Sequence, residues 1–440
     1  MSGLESRRLY SNLLGFYVQT CFRIHIDTNI TFRYMSDRDY SVLAHEYIHF
    51  LQDISTTYGA FNAYAISEFM KSVAEAIRLS PDGSIDVPYT PDIDADNVFA
   101  NYCVKELTFG DSKEITQIKE IFELKNNKES LDSKDLDSIP TVSVEIKDGE
   151  DKIQKIDFGA CAVMESMAFL IEQYTAPKQI DAPDYPYKVA DIIVQNYYPD
   201  FGKNKLNIIA LCDVSLLTSA PGHSFISLLV QFKEEGWIPN EPSDVYGKVL
   251  DNGYNVSGSK PGQESFEEEM VELSDLAIQS LQTYFNDSLP RFRKWIEVTI
   301  KSGFALRIKK RDFMLDIVKG GNIRYNPVLK ALINDLIGTP IMTNPSAEGT
   351  IKSPNVPFDS DFYLFPAVGE VFKLFDKGQC NCEMKDICSH NGGAVDDKCD
   401  TAPWTHEVSI ENFCPYSLLW HNWAFKRCKP RGQRYIKELK

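Results

Sequence analysis

The chain is 440 residues long, 43% of its residues are hydrophobic, and its formal net charge at pH 7 is −17. This composition is typical of a globular protein large enough for roughly two or three domains. The acidic balance argues against nucleic-acid binding, which usually needs a basic stripe. Because the sequence has no run of about 18 apolar residues, we expect no transmembrane helix. Residues 1–20 also lack the features of a signal peptide, so we expect a cytoplasmic location, where thiols stay reduced.

Alternating patterns near the N-terminus predict a small β-sheet. Strand-like stretches cover residues 16–26 and 29–34. Ser36 or Asp37 then provides an N-cap for a helix that should run to about Ile54.

The rest of the chain is mostly helical in pattern, with Pro-, Gly- and Asp-rich loops between the helices. The predicted helices cover 61–79, 113–138 with an exposed connection at the end, 160–174, 203–231 with a break at 219–222, and 265–303. Asp148-Gly149 lies between two alternating stretches, 141–146 and 152–156, and indicates a β-hairpin. Long loops are predicted over 240–264 and 338–360.

The helix predicted after Ser36 carries the motif HExxH at residues 45–49. Two histidines at positions i and i+4 project from one face of a helix, where both imidazoles can bind one zinc ion. The glutamate between them can take a proton from a zinc-bound water. On a helical wheel the motif shares an arc of about 100° with Val42 and Asp53, separate from the apolar stripe.

The segment from His45 to Asp53 resembles the active-site helix of the zincin metallopeptidases. It is most similar to gluzincins of the thermolysin type, in which an aspartate follows HExxH by four residues. The resemblance implies that His45 and His49 bind zinc and that Glu46 is the general base and proton shuttle. It also implies that Asp53 orients a ligand histidine. The third histidine that extends the metzincin motif is absent.

Gluzincins take a third zinc ligand from a glutamate on a later helix, and Glu165 is the candidate here. It lies among apolar and small residues, where a carboxylate is not expected without a partner. Small residues at 159–162 and Ala168 would let the two helices approach, and Glu165 and Ala168 have the E-x-x-A spacing of gluzincins. Glu172, on the same face, is the alternative ligand. The interval between His49 and Glu165 is much longer than in thermolysin, which places the chain outside that close family.

A peptidase of this type also needs a donor that stabilises the oxyanion of the transition state. His223, in the loop before a predicted helix, is the candidate for this role. Tyr174 and Tyr58 are the alternatives, and the sequence does not decide among them.

Six of the ten cysteines lie between residues 380 and 428, with three histidines among them. In a reducing compartment such a density favours a metal site over disulfides. An iron–sulfur cluster and free or disulfide-bonded cysteines are the alternatives. The predicted ligands of a structural zinc are Cys380, Cys382, Cys388 and Cys399.

These features predict a zincin-like α+β protein, in which a small N-terminal β-sheet packs on an active-site helix and the remainder is mostly helical. We expect a metallopeptidase domain over 1–350, with a helical subdomain at about 175–340, and a Cys-rich region over 351–440. The predicted activity is zinc-dependent hydrolysis of a protein or peptide substrate, with narrow specificity or activation by a regulatory protein partner. The alternatives are a non-enzymatic, metal-stabilised interaction protein and a zinc hydrolase of a non-peptide amide.

Overall fold

The structure is a computed structural model in which strands and helices form a mixed α+β fold, as predicted. It describes residues 14–91, 98–129, 139–178, 181–251, 266–285, 289–346, 348–354, 356, 363–390, 393, 395–407 and 414–432. One continuous hydrophobic core runs through these residues, from Tyr17 to Cys428.

The strands are short apart from two in the middle of the chain. They are β1 (Gly15–Val18), β2 (Arg23–Ile26), β3 (Ser84–Asp86), β4 (Ile118–Glu129), β5 (Ile139–Asp148), β6 (Ile153–Asp157), β7 (Ile341–Thr343), β8 (Gly349–Thr350) and β9 (Lys429–Arg431).

The α-helices make up most of the remainder. They are α1 (Asp37–Ser55), α2 (Thr57–Leu79), α3 (Val98–Phe109), α4 (Ala160–Thr175), α5 (Val189–Tyr197), α6 (Pro199–Gly202), α7 (Lys205–Ser215), α8 (Pro221–Glu234), α9 (Asp244–Leu250), α10 (Phe266–Gln282), α11 (Pro290–Lys309), α12 (Phe313–Lys319), α13 (Pro327–Ala331), α14 (Leu364–Lys377), α15 (Lys385–His390), α16 (Lys398–Thr401) and α17 (Pro415–Asn422). Short turns of other helix types cover Phe32–Tyr34, Leu332–Leu336, Pro403–Thr405 and Phe425–Arg427. Where the structure describes them, the predicted helices over 61–79, 160–174 and 203–231 and the helical stretch over 265–303 are confirmed.

A four-stranded sheet in the order β1-β2-β7-β8 lies beside α1, which also packs against α2, α4 and α11. β2 pairs antiparallel with β1 and parallel with β7. The strand predicted over 29–34 is wrong, because this segment forms a short helical turn in which Phe32 alone is buried. The place beside β2 that a third consecutive strand would have taken is occupied by β7.

The second sheet, in the order β4-β5-β6, contains the predicted hairpin around Asp148-Gly149. The helix predicted over 113–138 is wrong where the structure describes it, because Ile118–Glu129 form β4. The register of β4 against β5 shifts twice, between Ile118 and Glu120 and between Ile121 and Glu123. Each such bulge adds one residue to the usual period of two. Apolar residues therefore recur every three positions along this strand, which in the sequence is typical of a helix.

The Cys-rich region shares its core with the preceding part of the chain. Phe365, on α14, packs edge-on against Phe22 and at a tilt against Trp295, with ring centroids 5.9 and 4.8 Å away. β9 pairs parallel with β3, which lies between α2 and α3. The core therefore continues across the boundary that we predicted near residue 350.

Candidate metal centre

Helix α1 is well specified at its start. The Ser36 hydroxyl accepts a hydrogen bond from the backbone N–H of Asp39, and the Asp39 carboxylate accepts one from the N–H of Ser36. This capping box satisfies N–H groups that the first turn of a helix leaves without partners. From Ser41 to Ser55 every residue of the helix is buried. The helix therefore carries HExxH through the interior of the protein.

Three side chains converge at the middle of this helix. His45 Nε2 lies 3.2 Å from His49 Nε2 and 3.2 Å from Glu165 Oε2, and His49 Nε2 lies 3.4 Å from the same carboxylate oxygen. Zinc bonds of about 2.0–2.2 Å at tetrahedral angles place such ligand atoms roughly 3.3–3.5 Å apart. The three atoms therefore have the spacing that one tetrahedral zinc ion requires.

Glu165 reaches the histidines from α4, which packs against α1. The small residues Ala160, Ala162 and Ala168 of α4 are fully buried, so this helix brings little bulk to the packing around the site. The structure thus brings together the three residues that we predicted as zinc ligands, and they can hold a metal ion.

The outward-facing ring nitrogens of both histidines have partners. His45 Nδ1 lies 3.1 Å from Glu172 Oε2, and His49 Nδ1 lies 2.8 Å from Gln52 Oε1. Gln52 is held in turn, because its amide donates to the carbonyl of Met164 on α4. Such contacts fix the orientation of a ligand imidazole. Glu172, our alternative third ligand, is therefore placed behind His45 instead of beside the metal position.

Asp53 does not have the partner that the resemblance implied. Its carboxylate accepts hydrogen bonds from the Tyr17 hydroxyl and the Thr20 backbone N–H, both at 2.7 Å. The short aspartate side chain is turned toward the sheet, and Gln52 occupies its expected place at His49. Asp53 therefore ties α1 to the turn that follows β1.

Negative charge around the two histidines favours a cation between them. Burial by itself would raise the pKa of Glu165, but His49 and His45 outweigh it and hold that pKa well below its usual value. Burial would lower the pKa of His45, but hydrogen bonds to Glu165 and Glu172 raise it well above the ordinary range. The site therefore stabilises positive charge where a metal ion would lie.

The three residues line a narrow cleft with a volume of about 50 Å³. Glu46 lines this cleft together with His45, His49 and Glu165. Burial raises the pKa of Glu46 to about 7, although the neighbouring histidines act to lower it. A carboxylate in this position can accept and release a proton near neutral pH.

Tyr187 also lines the cleft, and its ring centroid lies 6.0 Å from that of His45. Burial raises the pKa of Tyr187 well above its ordinary value, so the phenol keeps its proton and can donate it in a hydrogen bond. No motif in the sequence marked this tyrosine, because it follows α4 in a segment without regular structure. It is a candidate hydrogen-bond donor at the cleft that the sequence analysis did not consider.

His223 is placed elsewhere. It lines a different depression beside Thr108 and Phe158, near the start of α4, and its Nε2 lies 3.5 Å from the Ser227 hydroxyl. The start of α8 lies close to the chain before α4, and Gly222 permits this approach because a side chain there would collide with the Phe158 carbonyl. His223 therefore does not face the proposed metal position, contrary to our expectation. The alternatives Tyr58 and Tyr174 are also not among the described residues that line the cleft.

All ten cysteines are free of disulfides. Within the part of the chain that the structure describes, the predicted ligands Cys380, Cys382, Cys388 and Cys399 do not form a group that could hold a metal ion together. Cys380 donates to the carbonyl of Asp400 at 3.7 Å. Among the described residues, Cys399 is instead grouped with Asp396 and His406.

No protein-family model matches the chain, and comparison with the curated proteins and with the solved structures gives no significant match. Among the described helices, none combines the length and the apolarity needed to cross a membrane. The arguments about function therefore rest on the site itself.

Proposed function

We propose that the protein is a zinc-dependent peptidase with a zincin-like site, in which His45, His49 and Glu165 hold the ion. The observation that carries this proposal is the mutual spacing of 3.2–3.4 Å among their three ligand atoms. Two imidazoles and one carboxylate form a donor set that zinc accepts in catalytic sites, which keep one position open. The cleft on which these residues lie gives a substrate access to that position.

The residues around the site have distinct roles in the proposed reaction. Zinc would supply Lewis-acid chemistry, which polarises a carbonyl and acidifies water. Glu46 takes a proton from the attacking water at its carboxylate and delivers it to the leaving amine. Tyr187 donates a hydrogen bond from its phenol to the oxygen on which negative charge develops.

The position of β1 favours a peptide over other amides as the substrate. β1 is the edge strand of its sheet, and its residues Gly15, Phe16 and Tyr17 line the cleft beside Glu46. An extended peptide can add to such an edge through main-chain hydrogen bonds. Gly15 allows β1 to lie close to α1, since a side chain there would come within 2.5 Å of Val42.

The decisive variant is Glu46→Gln, which removes the base and leaves the three ligands in place. Wild type and variant are incubated with a whole-cell protein extract, and new N-termini are identified by mass spectrometry. We expect wild type to generate a defined set of N-termini and Glu46→Gln to generate none, with equal zinc content in both. Cleavage by the variant at the wild-type rate would show that Glu46 is not the base.

Zinc content tests whether HExxH binds a metal ion at all, which the peptidase proposal requires. A His45→Ala/His49→Ala variant should lose about one zinc ion per chain relative to wild type. If both proteins contain the same amount of zinc, the motif is a coincidence and the peptidase proposal fails.

We also propose that activity is restricted to few substrates or requires a protein partner. The side chains at the bottom of the cleft are buried, and Glu46 is only 7% exposed, so a substrate can approach it only in a restricted way. Rapid, general digestion of casein by the purified protein would contradict this restriction.

A further inference from the structure

The Cys-rich region contains a second group of metal-binding side chains, away from the HExxH helix. Cys399 Sγ lies 3.3 Å from His406 Nε2, and Asp396 Oδ1 lies 3.5 Å from the same nitrogen. All three ligand atoms lie within 4.8 Å of one another. Both Cys399 and His406 are 5% exposed, so the contact between them lies inside the protein.

The spacing of the thiol and the imidazole suits zinc. Zn–S bonds of about 2.3 Å and Zn–N bonds of about 2.0–2.1 Å at tetrahedral angles separate sulfur from nitrogen by roughly 3.6 Å. A sulfur, a nitrogen and a carboxylate oxygen together form a donor set for a borderline-soft ion such as zinc.

A second thiol, that of Cys414, lies at the start of the helix that packs against the turn before His406. The Cys414 side chain is buried at the start of α17, and the backbone N–H of Ser417 points at its sulfur from 3.5 Å. The Ser417 hydroxyl donates to the Pro403 carbonyl at 2.8 Å, so the start of α17 lies against the helical turn that precedes His406.

The segment that contains these residues consists, where the structure describes it, of short helices and turns. Between residues 385 and 422 the described elements are α15, α16, a single helical turn at Pro403–Thr405 and α17, of six, four, three and eight residues. Loop-rich regions built of such short elements are commonly stabilised by a structural metal.

We propose that Cys399, His406, Asp396 and Cys414 bind a structural zinc ion that links α16 to the start of α17. Four protein ligands close the coordination sphere, so this site is structural and not catalytic. Binding releases the protons of the two thiols, and the resulting thiolates are balanced by the ion. The ligand set differs from the one that we predicted from the sequence, with Cys399 alone in common, and the site is independent of the proposed peptidase activity.

Zinc counting on the full-length protein tests this site. Wild type should contain about two zinc ions per chain, and Cys399→Ser should contain about one. Cys380→Ser is the matched control, because Cys380 is buried in the same region but bonds to Asp400; it should keep both ions. Zinc content that is unchanged in Cys399→Ser, or reduced equally in Cys380→Ser, overturns the proposal. His45→Ala/His49→Ala reports the other site separately, so failure of one proposal is distinguishable from failure of the other.

Cobalt substitution provides a measurement that does not depend on a serine variant folding. In wild type loaded with Co²⁺, thiolate ligands give charge-transfer absorption in the near ultraviolet, and a site of histidines and carboxylates gives none. We expect this absorption in wild type and a reduction by about half in Cys414→Ser, since one of two thiolates is lost. Absence of the band in wild type overturns the site, and an unchanged band in Cys414→Ser overturns Cys414 as its fourth ligand.

Discussion

The two proposed ligand histidines have partners of different residue types at their Nδ1 atoms. Glu172 approaches His45 Nδ1 from α4, whereas Gln52 approaches His49 Nδ1 from the same helix, three residues later. A carboxylate partner makes an imidazole a more basic ligand, and an amide fixes its orientation without adding charge. The two histidines should therefore contribute unequally to zinc affinity.

Glu172→Ala should weaken zinc binding by about 10–100-fold, because His45 loses the partner that orients it and raises its basicity. Competition against a chromophoric chelator measures the affinity. Asp53→Asn is the control, since Asp53 bonds to Tyr17 and Thr20 and should not alter zinc affinity. The reverse ranking of the two variants would return Asp53 to the role that the resemblance implied.

Tyr187→Phe should reduce kcat by about 10²–10³-fold while leaving zinc content unchanged, because the ring remains but its donor is removed. The measurement is turnover of a substrate identified from the new N-termini. His223→Asn should leave turnover near wild type, since His223 lies outside the cleft. Full activity of Tyr187→Phe would exclude Tyr187 as the oxyanion donor.

Near the site, the sequence indicated the residues of the motif and Glu165, but not the partners of the two histidines. His45, Glu46 and His49 share one helix, so their spacing alone places them together. Glu165 was recognisable because a carboxylate among apolar residues needs a partner. Gln52 lies on the same helix as His49, but its amide is held by the Met164 carbonyl of α4. The positions of Glu172 and Tyr187 likewise depend on how the chain packs against α1, which no local pattern encodes.

Among the elements, α11 crosses α1 closely near the end of the HExxH helix. Gly303 makes this approach possible, because a Cβ atom there would lie 2.3 Å from the Ile54 carbonyl oxygen. The crossing therefore depends on a residue without a side chain in the middle of a helix, where glycine is otherwise unfavourable.

Gly303→Ala should destabilise the protein by about 1–3 kcal/mol, because the added methyl forces the two helices apart. Gly247→Ala is the matched control in α9, where a Cβ atom would meet only the Asp251 carboxylate, at 3.5 Å. There the better helix propensity of alanine should stabilise the fold by up to about 1 kcal/mol. Urea unfolding of both variants measures the change in the free energy of unfolding, which should be opposite in sign for the two. A stabilised Gly303→Ala would contradict the close crossing.

The elements also differ in how far the sequence specifies them. Long amphipathic helices such as α2 and α4 follow from a pattern of 3.6 residues that the core does not interrupt. β4 was misread because its two bulges change the spacing of apolar residues from two to three. Residues 29–34 were misread because their alternation suits a strand but β7 occupies the neighbouring position.

Over the whole molecule, a buried ion pair joins helices that are distant in sequence. Arg307 binds Asp213 through two hydrogen bonds of 2.7 and 2.8 Å and donates to the Ser55 carbonyl at the end of α1. The Tyr246 hydroxyl donates to the same aspartate at 2.7 Å. This cluster links α1, α7, α9 and α11.

Arg307→Met should destabilise the protein by about 3–5 kcal/mol, because it leaves the buried Asp213 carboxylate without its cation. Arg78→Met is the control, since Arg78 forms an exposed pair with Glu75 and should show no measurable change. Thermal unfolding followed by circular dichroism compares them. Equal stability of the two variants would mean that the buried cluster does not hold the helices together.

The class of fold was predictable at this scale, but the pairing of its strands was not. β2 lies beside β7, and β3 lies beside β9, although more than 300 residues separate the members of each pair. Such contacts leave no local trace in composition or periodicity. The same limit explains why the predicted boundary near residue 350 does not coincide with a break in the core.

The pairing of Arg23 with Ile341 also determines how late in synthesis the sheet can be completed. At a synthesis rate of about 5–20 residues per second, β7 is made roughly 15–60 s after β2. HExxH and Glu165 have left the ribosome long before then, while the sheet that borders their cleft is still incomplete. A nascent chain therefore carries all its proposed zinc ligands before β7 can join β2, and the sheet beside the site is complete only when synthesis is nearly finished.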